Sequence, residues 1–150
     1  MFILSILVFV GFSLAGMAMG GGIVMFLDVP SLFLVLPACI VFSIAATSVK
    51  DFKNGFSLLV NDEQDVTKQE IKSAATMFKV MGQTAILSGI ATTLIGAVAI
   101  GSNLQASEFS TVFGPAFAVC ILTLLYGFMI KTITYVAEQK LLNKIDQLDD

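Results

Sequence analysis

The sequence predicts an all-α membrane protein with four transmembrane helices. Of its 150 residues, 57% are hydrophobic and only 13% are charged, and the mean hydropathy is +0.93. Four uncharged runs are each long enough to cross a hydrocarbon core, which takes roughly 20 helical residues. A water-soluble bundle of this size would need polar helix faces, and these runs have none. The predicted spans are residues 2–27, 29–49, 80–101 and 109–130.

The lysines predict the orientation of the chain. The eight basic residues are all lysines, and they lie either between the second and third runs or after the fourth. The two connections on the opposite side carry only Asp28 and Glu108 as charged residues. By the positive-inside rule, both termini, the loop 50–79 and the tail 131–150 are cytoplasmic. The chain, 1–150, is thus predicted to be a single four-helix membrane domain.

The first run is interpreted as a membrane span and not as a cleaved signal peptide. No Lys or Arg precedes its hydrophobic core, and GMAMGGG (16–22) contains no clear small-x-small cleavage site. The first two runs carry bulky apolar residues nearly all round, which predicts that both helices face lipid. Cys39 and Cys120 lie in different runs and are interpreted as small buried apolar residues, so no disulfide between them is expected.

The middle loop contains one predicted amphipathic helix. Thr67 and Glu70 have the spacing of a capping box, which marks a helix start. Apolar residues from Ile71 to Phe78 then recur three and four positions apart. We interpret this segment as a membrane-surface helix that continues into the third span, with a partner-docking helix as the alternative.

The tail carries one apolar stripe. Leu141, Ile145 and Leu148 lie on the same side of a helix. This pattern favours helix contacts between copies of the chain, and a frayed helix end is the alternative.

Small residues recur every four positions in the third run and again in the fourth. In lipid no hydrophobic effect drives helices together, and such columns let two backbones approach closely. We therefore predict that the third and fourth helices form a packed inner pair. The columns are Ala85, Gly89, Thr93, Ala97 and Gly101; Thr84, Ser88, Thr92 and Gly96; and, in the fourth run, Ala116, Cys120, Thr123 and Gly127.

Thr92 and Thr93 are adjacent within an apolar run. A lone hydroxyl in such a helix can bond the carbonyl one turn back, so two neighbouring hydroxyls need a further reason. Interhelical hydrogen bonds, worth about 0.5–1 kcal/mol each, are the purely structural interpretation. The two side chains stand about 100° apart on a helix and cannot both face one surface.

The absence of ionisable residues from the four runs restricts the function. Transporters that move protons or sodium almost always carry an intramembrane ionisable group. The sequence also has no His, no metal-ligand cluster, no phosphate-binding glycine loop and no nucleophile–base pair. We expect no catalytic residue, no metal, no cofactor and no nucleic-acid partner. If protons or sodium cross here, another chain must supply the charge.

Four segments resemble a known family. MAMGGGIVMFLDVPSLFLVL (17–36) looks like the first hairpin of flagellar stator channel subunits of the MotA/PomA type, relatives of TolQ and ExbB. GIATTLIG (89–96) is similar to the third-span segment of that family, and GPAFAVCILTLLYG (114–127) to its fourth-span signature. EQKL (138–141) stands where the family has an acidic-x-Lys-Leu exit. The chain resembles the sodium-driven branch more closely.

The resemblance implies a homopentamer in the bacterial inner membrane, with the third and fourth helices around a central pore. The pore would hold two single-span partner helices that carry the essential aspartate. Thr93 matches a pore-facing threonine, which turns Thr92 toward a neighbouring helix, and Asp28 matches an acidic residue near the ion entrance. Thr93, Thr123 and Asp28 are therefore placed on the ion pathway. Pore-shaping or packing positions are Thr92, Gly89, Gly96, Pro115, Cys120 and Gly127.

Departures from the family pattern leave two functions open. The long cytoplasmic region is reduced to about one helix and the chain has no arginine, so torque on a flagellar rotor is not expected. The prolines of the family align with Ile86 and Val136, and its fourth-span threonine aligns with Leu124, one position from Thr123. The predicted function is a ring subunit of a reduced, ion-driven, stator-like motor or channel. The alternative is a non-conducting pentameric membrane scaffold.

Overall fold

The chain folds into a set of helices. The computed structural model describes residues 2–60, 66–103 and 109–148, and every regular element in these ranges is helical. In order they are α1 (Phe2–Met19), a 3₁₀ helix (Ile23–Phe26), α2 (Val29–Ala46), α3 (Val49–Val60), α4 (Lys68–Asn103) and α5 (Phe109–Asp146). Within the described ranges, α1, α2, α4 and α5 are long and apolar enough to cross a membrane. The predicted all-α class with four candidate spans is confirmed.

A glycine turn ends α1 earlier than the predicted span. Gly21 and Gly22 have φ angles of 131° and 111°, a left-handed region in which any other side chain is strained. α1 therefore ends at Met19, and not near residue 27. No residue of α1 is buried within the chain, so nearly its whole apolar surface faces outward.

α2 buries one face, whereas the sequence predicted a lipid-facing helix. This face packs against α4 and α5, because every fourth residue on it is small enough to allow close approach. Bulky apolar residues stand between these positions and hide the stripe from a hydropathy analysis. Its members are Ser31, Val35, Cys39 and Ser43.

α4 and α5 are one long antiparallel pair. They contain 36 and 38 residues, which corresponds to lengths of about 54 and 57 Å. A hydrocarbon core of about 30 Å accommodates little more than half of either helix. Both helices therefore continue beyond the membrane span at one or both ends.

The first turns of α4 follow the predicted capping box. Glu70 N donates to Thr67 Oγ1 over 3.3 Å, and Thr67 N donates to Glu70 Oε2 over 3.2 Å. Ile71 and Phe78 are buried, as the amphipathic pattern predicted. The apolar face is covered by α3 and α5. The predicted continuation into the third span is confirmed, because α4 is one unbroken helix, whereas its apolar face is covered by protein and does not lie on a membrane surface.

α3 is the helix that the sequence analysis missed. It buries Gly55, Leu58 and Leu59 against the first half of α4, and a Cβ on Gly55 would lie 2.6 Å from Met77 Cε. It is only 12 residues long, but Phe52, Phe56 and Leu59 recur at spacings of four and three residues, so the helix carries an amphipathic signal that the sequence analysis did not use. It adds Leu58 and Leu59 to a core that also includes residues of α2, α4 and α5.

The tail stripe packs within its own chain. Leu141 is fully buried in the hydrophobic core and Ile145 packs against that core, whereas Leu148 remains exposed. The favoured interpretation, contact between copies, is therefore wrong for Leu141. The sequence could not show this because α3, which also contacts α5, was not recognised.

Candidate functional site

The candidate site lies where α4 and α5 approach each other most closely. A Cβ on Gly89 would lie 2.9 Å from Thr123 O, and one on Gly127 would lie 2.6 Å from Ala85 O. In both places a glycine lets the backbone of one helix touch the backbone of the other. Gly96 allows a side chain of α5, that of Cys120, to approach α4 through its Sγ atom. These contacts fix the register in which the polar groups of the two helices meet.

Four oxygen atoms gather at this contact. Thr93 Oγ1 and Thr123 Oγ1 are 2.8 Å apart, and they lie 3.0 and 2.8 Å from Cys120 O. Thr123 Oγ1 is also 3.4 Å from Gly89 O. We call these two hydroxyl and two carbonyl oxygens the oxygen cluster. Thr123 is 4% exposed, and Thr93 is half-buried.

The oxygen cluster is polar but uncharged. Each hydroxyl carries one proton and accepts through two lone pairs, so the cluster can both donate and accept hydrogen bonds. Oxygens held in this way can replace part of the water shell of a cation, or they can simply satisfy one another. In the described part of the chain, no three His, Cys, Asp or Glu residues come together as metal ligands.

Thr92 and Thr93 have different hydrogen-bond partners. Thr92 Oγ1 donates back to Ser88 O over 2.7 Å, within its own helix. Within the single chain, the hydrogen bond to the neighbouring helix is made by Thr93, whereas the resemblance assigned it to Thr92. The reason is the helix register, because Thr93 lies one turn after Gly89, on the face that touches α5.

Thr123 lies at the α4–α5 contact, whereas the family pattern places its threonine at the next position, which is Leu124 here. Leu124 aligns with the fourth-span threonine of the family, but a leucine side chain has no hydroxyl group. The structure brings Thr123 onto Thr93 instead. Pro115 lies inside α5, one residue after Gly114, and a Cβ on Gly114 would meet no atom within 4 Å.

Asp28 serves as the N-cap of α2. Its carboxylate accepts a 2.8 Å hydrogen bond from Ser31 N, and its own backbone N donates to Tyr126 Oη over 2.9 Å. Tyr126 Oη in turn donates to Phe26 O over 2.5 Å. The hydrogen bonds of Asp28 thus belong to the connection before α2 and not to the oxygen cluster. Sequence analysis missed Tyr126, although a tyrosine in an apolar run needs a partner for its hydroxyl.

Lys131 lies beside α1, one residue after the predicted fourth span. The next residues, Thr132 and Ile133, share a groove with Phe9, the eighth of the 18 residues of α1. Lys131 is therefore level with the middle of α1, and its ammonium lies 5.6 Å from the ring centroid of Tyr135. Lys131 follows the predicted fourth span, 109–130, directly, and the expectation that no ionisable residue lies deep within the spans stays a prediction.

These features define a multi-pass helical membrane protein whose two longest helices hold a partly buried set of hydroxyl and carbonyl oxygens between them. The model of the MotA/TolQ/ExbB proton channel family matches residues 40–150, which is most of the chain. The chain belongs to this family, and the recognition from the sequence is confirmed.

The chain is also similar in sequence to part of one curated protein. The chain is 31% identical over 107 residues to Motility protein A of Borreliella burgdorferi, which is 63% of this chain and 40% of the relative. The chain thus spans about two fifths of the length of that protein. The family match begins within α2 and includes the whole oxygen cluster. Segment 17–36 precedes that match, so the resemblance of the first hairpin, including Asp28, stays a prediction.

Proposed function

We propose that the chain is a ring subunit of a stator-like, ion-driven membrane motor or channel. It conducts protons or sodium together with a single-span partner that carries a membrane aspartate. The assembly is a homopentamer in the bacterial inner membrane, with α4 and α5 around the pore and both termini cytoplasmic. The oxygen cluster, in a chain of a proton channel family, is the observation that carries this proposal.

The chemistry of the oxygen cluster supports conduction. A cation that leaves water loses hydrogen-bonding oxygens, and this is costly unless protein oxygens replace them. Thr93, Thr123 and the carbonyl of Cys120 offer such oxygens at one depth between the helices. The cluster itself carries no charge, so the partner's carboxylate supplies the negative group.

The outer surface of α4 supports assembly into a ring. Leu87, Leu94, Ile95 and Val98 are all more than 60% exposed in the single chain. In a membrane such a surface meets either lipid or a neighbouring subunit, and small residues beside it permit close approach. With α1 and α2 at the periphery, α4 and α5 are the helices left to line a pore.

The second candidate function is a non-conducting pentameric scaffold. One observation favours it: among the described residues, no buried side-chain nitrogen or oxygen lacks a hydrogen-bond partner. The oxygen cluster is thus complete as a packing element without any ion. We also propose that the chain catalyses no reaction, holds no cofactor and exerts no direct torque on a flagellar rotor.

Valine substitution at the two threonines separates the candidates. Flux of protons and of sodium is measured in vesicles that contain the chain and a co-expressed single-span partner with a membrane aspartate. We expect Thr93→Val to abolish flux, because it removes one oxygen from the cluster, while Thr92→Val conducts normally. The two variants are matched, since each replaces one hydroxyl by a methyl group on the same helix.

Assembly must be measured alongside flux. Thr93→Val also loses a hydrogen bond to α5, at a cost of about 0.5–1 kcal/mol, so its oligomer must be shown to be intact by native mass spectrometry. Normal flux through an intact Thr93→Val assembly would show that the Thr93 hydroxyl serves packing alone, and the oxygen cluster would then no longer support the proposed ion path. A wild-type assembly that never conducts, whatever the partner, would exclude the motor.

A further inference from the structure

Glu138 is a carboxylate on α5 that is mostly buried. It is only 9% exposed, and across residues 2–60, 66–103 and 109–148 its side chain forms no hydrogen bond or ion pair. In those ranges every fully buried side-chain nitrogen or oxygen does have a hydrogen-bond partner, so the Glu138 carboxylate must reach the surface of the chain. Glu138 therefore presents a negative charge at a narrow opening.

Glu138 lies on the side of α5 that faces α4. A Cβ on Gly82 of α4 would meet the side chains of Lys131 and Thr134, and Gly127 touches the α4 backbone. Glu138 stands within about 40° of each of these three α5 residues around the helix axis. Its carboxylate is therefore a group of the α4–α5 contact and not of the outer surface of α5.

A lysine ammonium fits this opening better than a metal ion does. Ca²⁺ and similar cations take several oxygen ligands, and in the described part of the chain no three His, Cys, Asp or Glu residues come together. An ammonium group needs only one carboxylate for a charge-assisted hydrogen bond. Lys79 of α4 is exposed, and none of the described residues forms an ion pair with it. Glu138 and Lys79 are thus two opposite charges that the single copy leaves apart.

We propose that Glu138 forms an ion pair with Lys79 of a neighbouring copy of the chain. This pairing rests on the proposed ring of subunits. A ring built from α4 and α5 places α4 of one subunit beside α5 of the next. Rotation about the ring axis keeps equivalent residues of all copies at the same depth, so depths measured within one chain also apply between neighbours.

The depths of the two residues match. The contacts of Gly82 and Gly127 with the opposite helix put Glu138 level with about residues 74–78 of α4. Side chains on a helix tilt toward its N-terminus. Because the helices are antiparallel, Lys79 tilts toward the level of Glu138, and Glu138 tilts toward the level of Lys79. The two charged groups therefore converge from adjacent helices.

A double-mutant cycle tests the pair. Native mass spectrometry in mild detergent measures the ratio of intact oligomer to dissociated subunits. Glu138→Gln and Lys79→Gln should each lower this ratio about fivefold, the upper value for a partly exposed ion pair. The double variant should be no worse than either single one, because the same pair is lost only once. Lys72→Gln is the matched control, since Lys72 is also exposed on α4 but tilts away from this level. It should leave the ratio at the wild-type value.

Cross-linking shows whether the pair joins two copies. Glu138→Cys combined with Lys79→Cys, treated with a short bismaleimide, should give covalent dimers and higher oligomers on a denaturing gel. Wild type, with its two native cysteines, and Glu138→Cys alone are the controls. Cross-links confined to monomers would overturn the proposal, and so would independent effects of the two Gln substitutions in an intact ring. A monomeric wild-type chain would overturn the ring itself and the pairing with it.

Discussion

Individual glycines allow the backbones of α4 and α5 to touch, and one added methyl group at such a position would force the helices to move. Gly127 illustrates it, because a methyl group there would lie 2.6 Å from Ala85 O and 3.2 Å from Ala85 C. Neither of these is the end of a flexible side chain, so a helix would have to move. The oxygen cluster depends on the same contact and moves with it.

Gly127→Ala should destabilise the protein by about 1–3 kcal/mol, the usual cost of forcing an extra methyl group into a packed contact. Gly114→Ala is the matched control, since it makes the same change in the same helix where a Cβ meets no atom within 4 Å. Thermal unfolding in mild detergent measures both. Equal midpoints for the two variants would contradict the close contact.

Tyr126 is a second single-residue contact, and it joins α5 to the start of α2. Tyr126→Phe should cost about 1–2 kcal/mol, because Phe26 O and the backbone N of Asp28 lose their common partner in a buried place. Tyr135→Phe is the control, since Tyr135 is 51% exposed. In the same unfolding assay, a loss as large for Tyr135→Phe would assign the effect to phenol hydroxyls in general.

At the scale of elements, α3 is attached to both long helices by polar links beside its apolar face. Lys140 Nζ of α5 donates to Leu59 O over 3.0 Å, in the last turn of α3, where a cation suits the helix dipole. Lys50 Nζ lies 3.1 Å from Glu70 Oε1 at the start of α4. The exposure of Lys50 makes this ion pair weak by itself.

The start of α4 should be sensitive to acid. A hydrogen bond from the Thr67 backbone, followed by the nearby Lys50 ammonium, holds the pKa of Glu70 below its usual range. The stabilisation is therefore complete above the unfolded pKa of about 4.3 and is lost as the pH falls through the lowered value. Thermal unfolding of wild type and Glu70→Gln from pH 7 to pH 3 should show curves that converge in acid. Parallel curves would contradict the capping role.

The sequence predicted those elements whose pattern is formed by residues close together along the chain. Uncharged runs located all four candidate spans, and the Thr67–Glu70 spacing located the start of α4, because both depend on neighbouring residues. α3 has a local amphipathic signal as well, and it was missed because the helix is only 12 residues long and lies in a segment interpreted as a loop. At the site, the small-residue columns included Thr93 and Thr123, but their mutual hydrogen bond required the register fixed by Gly89 and Gly127, and their place on an ion pathway stays a prediction.

At the scale of the whole molecule, the proposed ring makes a direct prediction. Native mass spectrometry in mild detergent should show a closed homopentamer. Gly96→Leu should break it, because the new side chain strikes Cys120 and separates α4 from α5. Gly11→Leu should leave the ring intact, since a Cβ on Gly11 of α1 meets nothing within 4 Å. A monomer or dimer in wild type would exclude the pentamer.

The depth of Lys131 connects the subunit to the membrane voltage. In the proposed membrane assembly, a positive charge level with the middle of α1 would lie within the electric field, and moving one charge across 100 mV involves about 2.3 kcal/mol. Because glycine contacts lock α4 to α5, any displacement of Lys131 along the membrane normal displaces the oxygen cluster as well. Electrical work on five such lysines in a ring would therefore act directly on the geometry of the ion path.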